Sequence, residues 1–219
     1  MSSAPSKAGS VCIAVAAFCI GVFVGLACER LLLRRPGAAA YRGEIADASR
    51  EFGVDAGLVA AVVECESGGR KDAVSRSGAV GLMQLMPRTA EEAARRIGLP
   101  ASFDLADPET NVRLGTSHLA RLLARFDGEA VFAIAAYHAG AGRVETWALE
   151  NSVLSAAAVI EAAAFDETRI YVRRVTHLAK AFRQSGPFAG GSPGGKPTGD
   201  TVLWEMFGVN VLLRDRGGL

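Results

Sequence analysis

Residues 55–87 read DAGLVAAVVECESGGRKDAVSRSGAVGLMQLMP, and this stretch determines the fold. Asp55 is a residue type that caps helix N-termini, and the apolar run after it predicts a helix that continues through Cys65. The Gly68-Gly69 pair ends this helix, because glycine adopts the backbone conformations of a helix terminus without a steric penalty. The last turn of the helix therefore carries Glu66.

The helical pattern extends over about residues 41–183, without a convincing run of the alternating pattern that is typical of strands. Capping residues, prolines and glycines set the bounds of further helices. These helices are predicted at residues 89–97, 107–126, 131–139 and 166–183, the last with Ile170 on its apolar face. The sequence therefore predicts a mainly α domain.

Composition limits the classes of partner and of site. The 219 residues fit one domain with appendages, and their net charge of +1 leaves no basic excess to neutralise a nucleic acid. Residues 41–219 carry 20 Lys or Arg and 22 Asp or Glu, which also argues against a polybasic membrane-binding face. Only one of the four cysteines, Cys65, lies in this region, so an intradomain disulfide cannot form. No Cys/His spacing indicates a metal site.

Both ends of the chain differ from the helical region. Residues 1–40 include Val11–Cys28, which are 18 residues without a charge between basic flanks. They predict a signal peptide or a single membrane anchor, and we favour the uncleaved anchor. Residues 184–200 hold six Gly and three Pro and predict a flexible linker. The apolar tail, residues 201–219, is a strand, a short helix or a partner-binding segment, and the pattern does not decide between these.

The position of Glu66 predicts an unusual acidity. A helix C-terminus carries partial negative charge, which disfavours a carboxylate, and apolar neighbours disfavour it further by removing water. Both effects raise the pKa of the carboxyl group. A carboxylic acid with a raised pKa is suited to general acid catalysis near neutral pH.

Four sequence blocks give Glu66 a context. They are Glu66-Ser67, the AVSRSGAVGLMQLMP stretch at residues 73–87, AYHAG at 136–140 and ETRIYV at 167–172. In this order and at these separations they resemble the family 1 lytic transglycosylases, whose catalytic domain has a fold like goose-type lysozyme. The resemblance covers residues 41–183, so we expect that domain between the N-terminal segment and the linker.

The resemblance implies cleavage of the β-1,4 bond between N-acetylmuramic acid and N-acetylglucosamine in peptidoglycan. One glutamate, which matches Glu66, would protonate the glycosidic oxygen and then act as base on the muramic acid 6-hydroxyl. The product would be a 1,6-anhydro sugar, and the substrate's N-acetyl group would support the charge at C1. This chemistry implies no second catalytic carboxylate, no metal and no cofactor.

Seven further residues form the predicted substrate site: Ser75, Gln84, Met86, Tyr137, His138, Glu167 and Tyr171. Ser75 would hydrogen-bond beside the acid, and a turn serine is an equal alternative. Gln84 offers a donor and an acceptor to an acetamido sugar, and Tyr137 offers an aromatic wall with a hydroxyl tip. Tyr171 is similar to Tyr137. Met86 resembles a methionine of the family's cleft, and Glu167, at a helix start, is expected to shape the site.

His138 departs from the family pattern, which usually reads Ala-Tyr-Asn-Ala-Gly. Both side chains donate and accept hydrogen bonds, but histidine is larger and titrates near neutrality. The exchange is expected to affect pH dependence or substrate fit. His118 and His177 are interpreted as structural, and Arg169 as a member of a structural ion pair.

Two other functions stay open at this stage: a lysozyme-like muramidase and a non-catalytic peptidoglycan-binding assembly module. The predicted substrate places the domain in the cell envelope, outside the cytoplasm. It would be anchored in the cytoplasmic membrane and periplasmic, or exported if the N-terminal segment is cleaved. The C-terminal tail is our hypothesis for a docking element on an envelope-spanning machine.

Overall fold

The computed structural model describes residues 37–100, 102–185 and 188. This part of the chain is helical, as predicted, and its extended pairing is limited to isolated bridges of Val80 with Val74 and Leu85. A short 3₁₀ helix, Ala38–Tyr41, comes first. The α-helices that follow are α1 (Arg42–Phe52), α2 (Ala56–Glu66), α3 (Pro87–Ile97), α4 (Pro108–Arg125), α5 (Ala130–Ala139), α6 (Ala141–Glu150), α7 (Ala156–Ala163) and α8 (Asp166–Ser185).

The predicted helix ends are confirmed where a local signal marks them. Asp55 accepts a hydrogen bond from Leu58 N at 2.7 Å and caps α2. Asp107 caps α4 in the same way, by accepting from Thr110 N at 2.9 Å. Gly98, with a φ of 71°, closes α3, which begins two residues earlier than predicted.

The sequence predicts helical character over residues 41–183 but not the separate helices α1, α6 and α7. Gly140 ends α5 and also precedes the first residue of α6, so no loop separates these two helices. Gly142 lies inside α6, although glycine is more typical of helix ends. The start of α6 has no side-chain cap, which is the signal that the sequence analysis used elsewhere.

Helix α2 is the centre of the core. Its residues 56–63 are all buried, as expected for a helix that is apolar on every side. It packs along α8, where Val172 and Val175 are buried. Ile170, predicted on the apolar face of α8, is instead 64% exposed. The buried apolar residues of α8 therefore start at Val172, one turn after the buried Thr168.

A second, smaller apolar cluster lies between α3 and α4. It consists of Leu85, Ala90, Ala93, Ala94 and Leu114. Tyr137 of α5 packs against this cluster and also against the main core. The Tyr137 side chain thus joins the two clusters, and the long loop between α2 and α3 runs past it.

Asn111 of α4 braces that loop. Its side-chain Nδ2 donates to Val80 O at 3.0 Å and to Leu105 O at 2.8 Å, and its Oδ1 accepts from Met83 N at 2.8 Å. Gly81 has a φ of +84°, and a Cβ atom there would lie 2.1 Å from Asn111 Nδ2. Only glycine therefore permits this close approach of the loop to α4.

The predicted terminal segments lie largely outside the described residues. This applies to Val11–Cys28, to most of residues 184–200 and to residues 201–219. Helix α8 continues to Ser185, and Phe188 is buried with its ring edge-on to Phe182 at 5.5 Å. Among the described residues, no helix has both the length and the apolar character needed to cross a membrane.

We expect Asn111→Ala to lower the free energy of unfolding by about 3 kcal/mol, because it removes three hydrogen bonds and leaves their buried partners unpaired. Urea unfolding at equilibrium measures the change. Asn151→Ala is the matched control, since it removes a single hydrogen bond, to Trp147 O, and should cost about 1 kcal/mol or less. Equal losses for the two variants would contradict the bracing role.

Candidate active site

The packing of α2 against α8 brings together two side chains that are 105 residues apart in the chain. Glu66 is the last residue of α2, and Tyr171 lies in the second turn of α8. The Tyr171 hydroxyl donates a hydrogen bond to Glu66 Oε1 at 2.7 Å. Burial and the nearby Glu66 charge raise the pKa of Tyr171 well above its usual value, so the hydroxyl remains a donor.

Glu66 has a raised pKa, as the sequence predicts. Burial raises the pKa of its carboxyl group from 4.5 to about 6, and the hydrogen bond from Tyr171 opposes this change. Protonated and ionised forms of Glu66 are therefore both accessible near neutral pH. This property suits a group that first gives a proton and later takes one back.

Tyr137 connects α5 to the loop before α3. Its hydroxyl donates to Met83 O at 2.9 Å, and burial together with the charge of Glu66 raises its pKa well above the usual value. Its ring lies 5.4 Å from the ring of His118. Burial lowers the pKa of His118 to about 4, so this histidine is neutral at pH 7 and packs as a structural residue, as expected.

His138 follows Tyr137 on α5 and faces α8. Its ring stacks on Tyr171, with centroids 4.6 Å apart and planes inclined by 27°. Its Nδ1 lies 3.2 Å from the hydroxyl of the buried Thr168. Burial lowers the pKa of His138, and the negative charge of Glu167 acts in the opposite direction.

An open depression of about 490 Å³ lies beside this group. The residues that line it are His138, Ala139, Arg143, Phe165, Asp166, Glu167 and Thr168. Phe165 is 60% exposed, and the Arg143 guanidinium lies 5.4 Å from the centre of its ring. The structure thus places His138 and Glu167 on one depression and connects it to Glu66 through the stack on Tyr171.

The other predicted site residues lie on the loop before α3 or at its end. The Ser75 hydroxyl accepts from Ala79 N at 2.9 Å, which is the contact of a turn serine. Gln84 Nε2 donates to Ala73 O and Gly81 O, each at 3.0 Å. Both side chains therefore hydrogen-bond to the loop itself. Met86, directly before α3, is 42% exposed.

Three neighbouring side chains have structural contacts. Glu64 Oε2 accepts from Ala38 N at 2.9 Å and holds the 3₁₀ helix against α2. Arg169 pairs with Asp166, in agreement with the predicted ion pair. Cys65 is partly buried against the core, and burial raises the pKa of its thiol to about 11.

Asn111 and Thr168 are not among the residues predicted from the sequence. An isolated amide on the buried face of α4 was the available signal for Asn111, which is only 1% exposed. Thr168 lies inside the ETRIYV block, but its role depends on a contact with another helix. Over residues 37–100, 102–185 and 188, no group of three His, Cys, Asp or Glu side chains is arranged to hold a metal ion.

We expect Tyr171→Phe to raise the pKa of Glu66 by about one unit, because the hydroxyl stabilises the carboxylate form. The pKa is measured by ¹³C NMR of the glutamate side-chain carboxyl groups. Tyr137→Phe is the matched control, since the Tyr137 hydroxyl donates to Met83 O and not to Glu66. An unchanged or lowered Glu66 pKa in Tyr171→Phe would contradict the role of this hydrogen bond.

We expect Glu66→Gln to be more stable than the native chain at pH 7.5, by about 1 to 2 kcal/mol. The folded-state pKa of about 6 exceeds the usual 4.5, so the native chain loses stability as the pH rises from 4.5 through 6. Below that window both side chains are neutral, and the difference should disappear. Urea unfolding at pH 4 and pH 7.5 tests this, and equal stabilities at both pH values would contradict it.

The chain is similar to proteins of known sequence and structure. Soluble lytic murein transglycosylase of Escherichia coli K12 is 42% identical over 120 residues, which are 52% of this chain and 18% of that protein. The structure of an inactive Glu-to-Gln mutant of lytic transglycosylase Slt from Pseudomonas aeruginosa has a TM-score of 0.66 and 36% identity, and the match covers 72% of this chain and 26% of that one. The 70 kDa soluble lytic transglycosylase of Escherichia coli has a TM-score of 0.59 and 34% identity, with 63% and 24% covered. The chain thus spans between 18% and 26% of the length of these proteins.

A family model describes the same helical region. The model of the transglycosylase SLT domain matches residues 44–160, which are more than half of the chain. This match extends from α1 into α7 and includes Glu66 and Tyr137, whereas Tyr171 lies beyond its end. On this match and on the likeness to the solved lytic transglycosylases, the chain belongs to the transglycosylase SLT domain family.

Proposed function

We propose that this chain is a peptidoglycan lytic transglycosylase, a carbon–oxygen lyase that cleaves the β-1,4 bond between N-acetylmuramic acid and N-acetylglucosamine. The observation that carries the proposal is the partly buried carboxyl group of Glu66, with a pKa of about 6, held by the Tyr171 hydroxyl within an SLT domain. One group with both protonation states accessible can supply both proton transfers.

In the proposed reaction, protonated Glu66 gives its proton to the glycosidic oxygen, and the bond from that oxygen to C1 of the muramic acid breaks. N-acetylglucosamine leaves with a free 4-hydroxyl group. The Glu66 carboxylate then takes the proton from the muramic acid 6-hydroxyl, whose oxygen bonds to C1. The product carries a 1,6-anhydro ring, Glu66 is protonated again, and no water is consumed.

Tyr171 has a defined part in this sequence. Its hydrogen bond to Glu66 Oε1 stabilises the carboxylate that exists between the two proton transfers. Burial of Glu66 acts in the opposite direction and keeps the carboxyl group a competent acid before the first transfer. Together the two effects leave the pKa of Glu66 at about 6, above the usual value of 4.5.

The depression lined by His138 and Glu167 is the proposed location of the sugar residues and their substituents. Its exposed aromatic ring, Phe165, offers an apolar face to a sugar ring, and Arg143 beside it offers donors to carboxylate groups. Met86 would contact the substrate as an adaptable apolar surface. Ser75 and Gln84 support this site mainly by shaping the loop.

Contacts of the neighbouring acids favour transglycosylation over hydrolysis. A muramidase often uses a second carboxylate to activate water. Glu64 accepts the backbone N–H of Ala38, and Asp166 pairs with Arg169, so neither is free for that task. Glu167, exposed at the edge of the depression, is the acid to test if hydrolysis were found.

The proposed substrate also implies a location. Peptidoglycan lies outside the cytoplasmic membrane, so we propose that residues 41–183 act there, in the cell envelope. The uncharged segment Val11–Cys28 would anchor the domain in the cytoplasmic membrane. Residues 184–200 would act as a linker to the apolar tail, residues 201–219, as the segment that docks on an envelope-spanning machine.

We expect the full chain to release 1,6-anhydro-muropeptides from purified peptidoglycan, and Glu66→Gln to reduce this release at least about 100-fold while it still binds peptidoglycan. Mass spectrometry of the soluble products measures the outcome. Glu64→Gln is the matched control at a neighbouring position and should retain the activity.

Other products would change the assignment. Glu66-dependent products with reducing ends would identify a muramidase. A native chain that binds peptidoglycan but releases no product would identify a binding module.

A further inference from the structure

We propose that His138 is a positioning residue that holds the Tyr171 hydroxyl on Glu66 by stacking on the Tyr171 ring. This inference deepens the proposed function, and the kinetic arm of its test, which measures the release of anhydro-muropeptides, rests on that function. Its structural arm concerns the hydrogen bond between Tyr171 and Glu66 and can be measured without turnover.

The stack restrains the direction of the Tyr171 hydroxyl. A tyrosine hydroxyl moves when the ring tilts about its first side-chain torsion, and a hydrogen bond of 2.7 Å tolerates little of this movement. His138 covers the ring in a nearly parallel arrangement, with the centroids 4.6 Å apart. Any tilt of the tyrosine toward α5 is therefore blocked by the imidazole.

The imidazole is itself held in place. Its Nδ1 lies 3.2 Å from the Thr168 hydroxyl, and Thr168 is only 2% exposed. Thr168 and Tyr171 are three residues apart on α8 and therefore lie on one face of that helix. His138 thus contacts α8 at two points, and both points fix the plane of its ring against the tyrosine.

The family's usual residue cannot form both contacts. An asparagine side chain at position 138 has a donor and an acceptor for the Thr168 hydroxyl, but it has no ring to cover Tyr171. The exchange of asparagine for histidine therefore adds the aromatic contact while retaining a hydrogen-bonding group. This explains how the departure from the family pattern is compatible with a functional acid.

Charged groups from two helices surround His138. Glu167 and Asp166 of α8 and Arg143 of α6 line the same depression, and Thr168 and Tyr171 contact the ring directly. Burial lowers the pKa of His138, and Glu167 partly opposes this. The ring is therefore mostly neutral at pH 7 and above, and stacking does not depend on its charge there.

The structural arm of the test is the Glu66 pKa, measured by ¹³C NMR of the side-chain carboxyl groups in the full chain. His138→Ala should raise this pKa by about half a unit, because a freer tyrosine donates to the carboxylate for less of the time. His138→Phe, which retains a ring and removes the titrating group, should restore the native value to within about 0.2 units. His177→Ala, an exposed histidine on α8, is the matched control and should leave the Glu66 pKa unchanged.

A double-mutant cycle separates positioning from a direct effect. In the Tyr171→Phe background the hydroxyl is absent, so adding His138→Ala should produce no further change in the Glu66 pKa. An equal shift in both backgrounds would overturn the proposal, since His138 would then act on Glu66 without Tyr171. Failure of His138→Phe to restore the pKa would also overturn it.

The kinetic arm uses the release of anhydro-muropeptides. Because the reaction starts from protonated Glu66, a raised pKa moves the alkaline limb of the kcat profile to higher pH. We expect this limb to move to higher pH in His138→Ala, while the kcat plateau below it falls about 3- to 10-fold, because the carboxylate formed in the first proton transfer loses a steady donor; KM should be nearly unchanged. His138→Phe should rescue kcat relative to His138→Ala. An effect confined to KM would overturn the proposal and assign His138 to substrate contact.

The two arms fail independently. If the native chain has no transglycosylase activity, the proposed function is wrong, and the NMR cycle still decides whether His138 positions Tyr171. If the chain is active but the cycle shows no coupling, the function stands and the positioning role is wrong. Urea unfolding of each variant shows whether it is folded before either measurement is interpreted.

Discussion

The site depends on the packing of α8 along α2. Helix α2 is apolar on all sides, so the core surrounds it and leaves only its C-terminal turn near the surface. Glu66 occupies that turn, and α8 covers it with Tyr171. The hydrophobic packing that stabilises the fold is therefore also the cause of the desolvation that raises the Glu66 pKa.

The loop between α2 and α3 depends on a different constraint. It lacks regular secondary structure, so its position is set by buried polar contacts and by close approach of the backbone. Asn111 pairs with its backbone at Val80 and Met83, and Gly115 of α4 leaves room for Met83, whose Sδ would lie 2.4 Å from a Cβ atom there. These contacts hold the loop in one position without regular secondary structure.

Local rules explain which features the sequence predicted. The cap at Asp55 and the glycine at position 98 act through contacts within a few residues, so their effect on helix ends could be inferred directly. Helix α6 was not predicted because Gly140 ends α5 and directly precedes α6, and no polar cap marks the start of α6. Helix α7 does have a cap, Ser155, which was not recognised in the sequence. The exposure of Ile170 could not be predicted from the pattern of α8 alone, because the face that α8 buries is set by its neighbour α2.

In the candidate site, too, local properties could be predicted from the sequence and contacts between distant residues could not. A raised Glu66 pKa follows from a helix end with apolar neighbours and was predicted from the residues alone, whereas its contact with Tyr171 joins positions 105 residues apart. Tyr171 entered the predicted site through the resemblance of its block to a family, and its role there remains a prediction.

Two opposing effects meet at Glu66, and a single-carboxylate mechanism needs both. Burial alone would favour the neutral acid and hinder the second proton transfer, whereas strong hydrogen bonding alone would favour the carboxylate and hinder the first. At Glu66 these effects are burial, which raises the pKa to about 6, and the hydrogen bond from Tyr171, which opposes that rise. A contact that controls the direction of this donor, as proposed for the stacked ring of His138, would therefore act on both proton transfers of the proposed reaction without touching the acid itself.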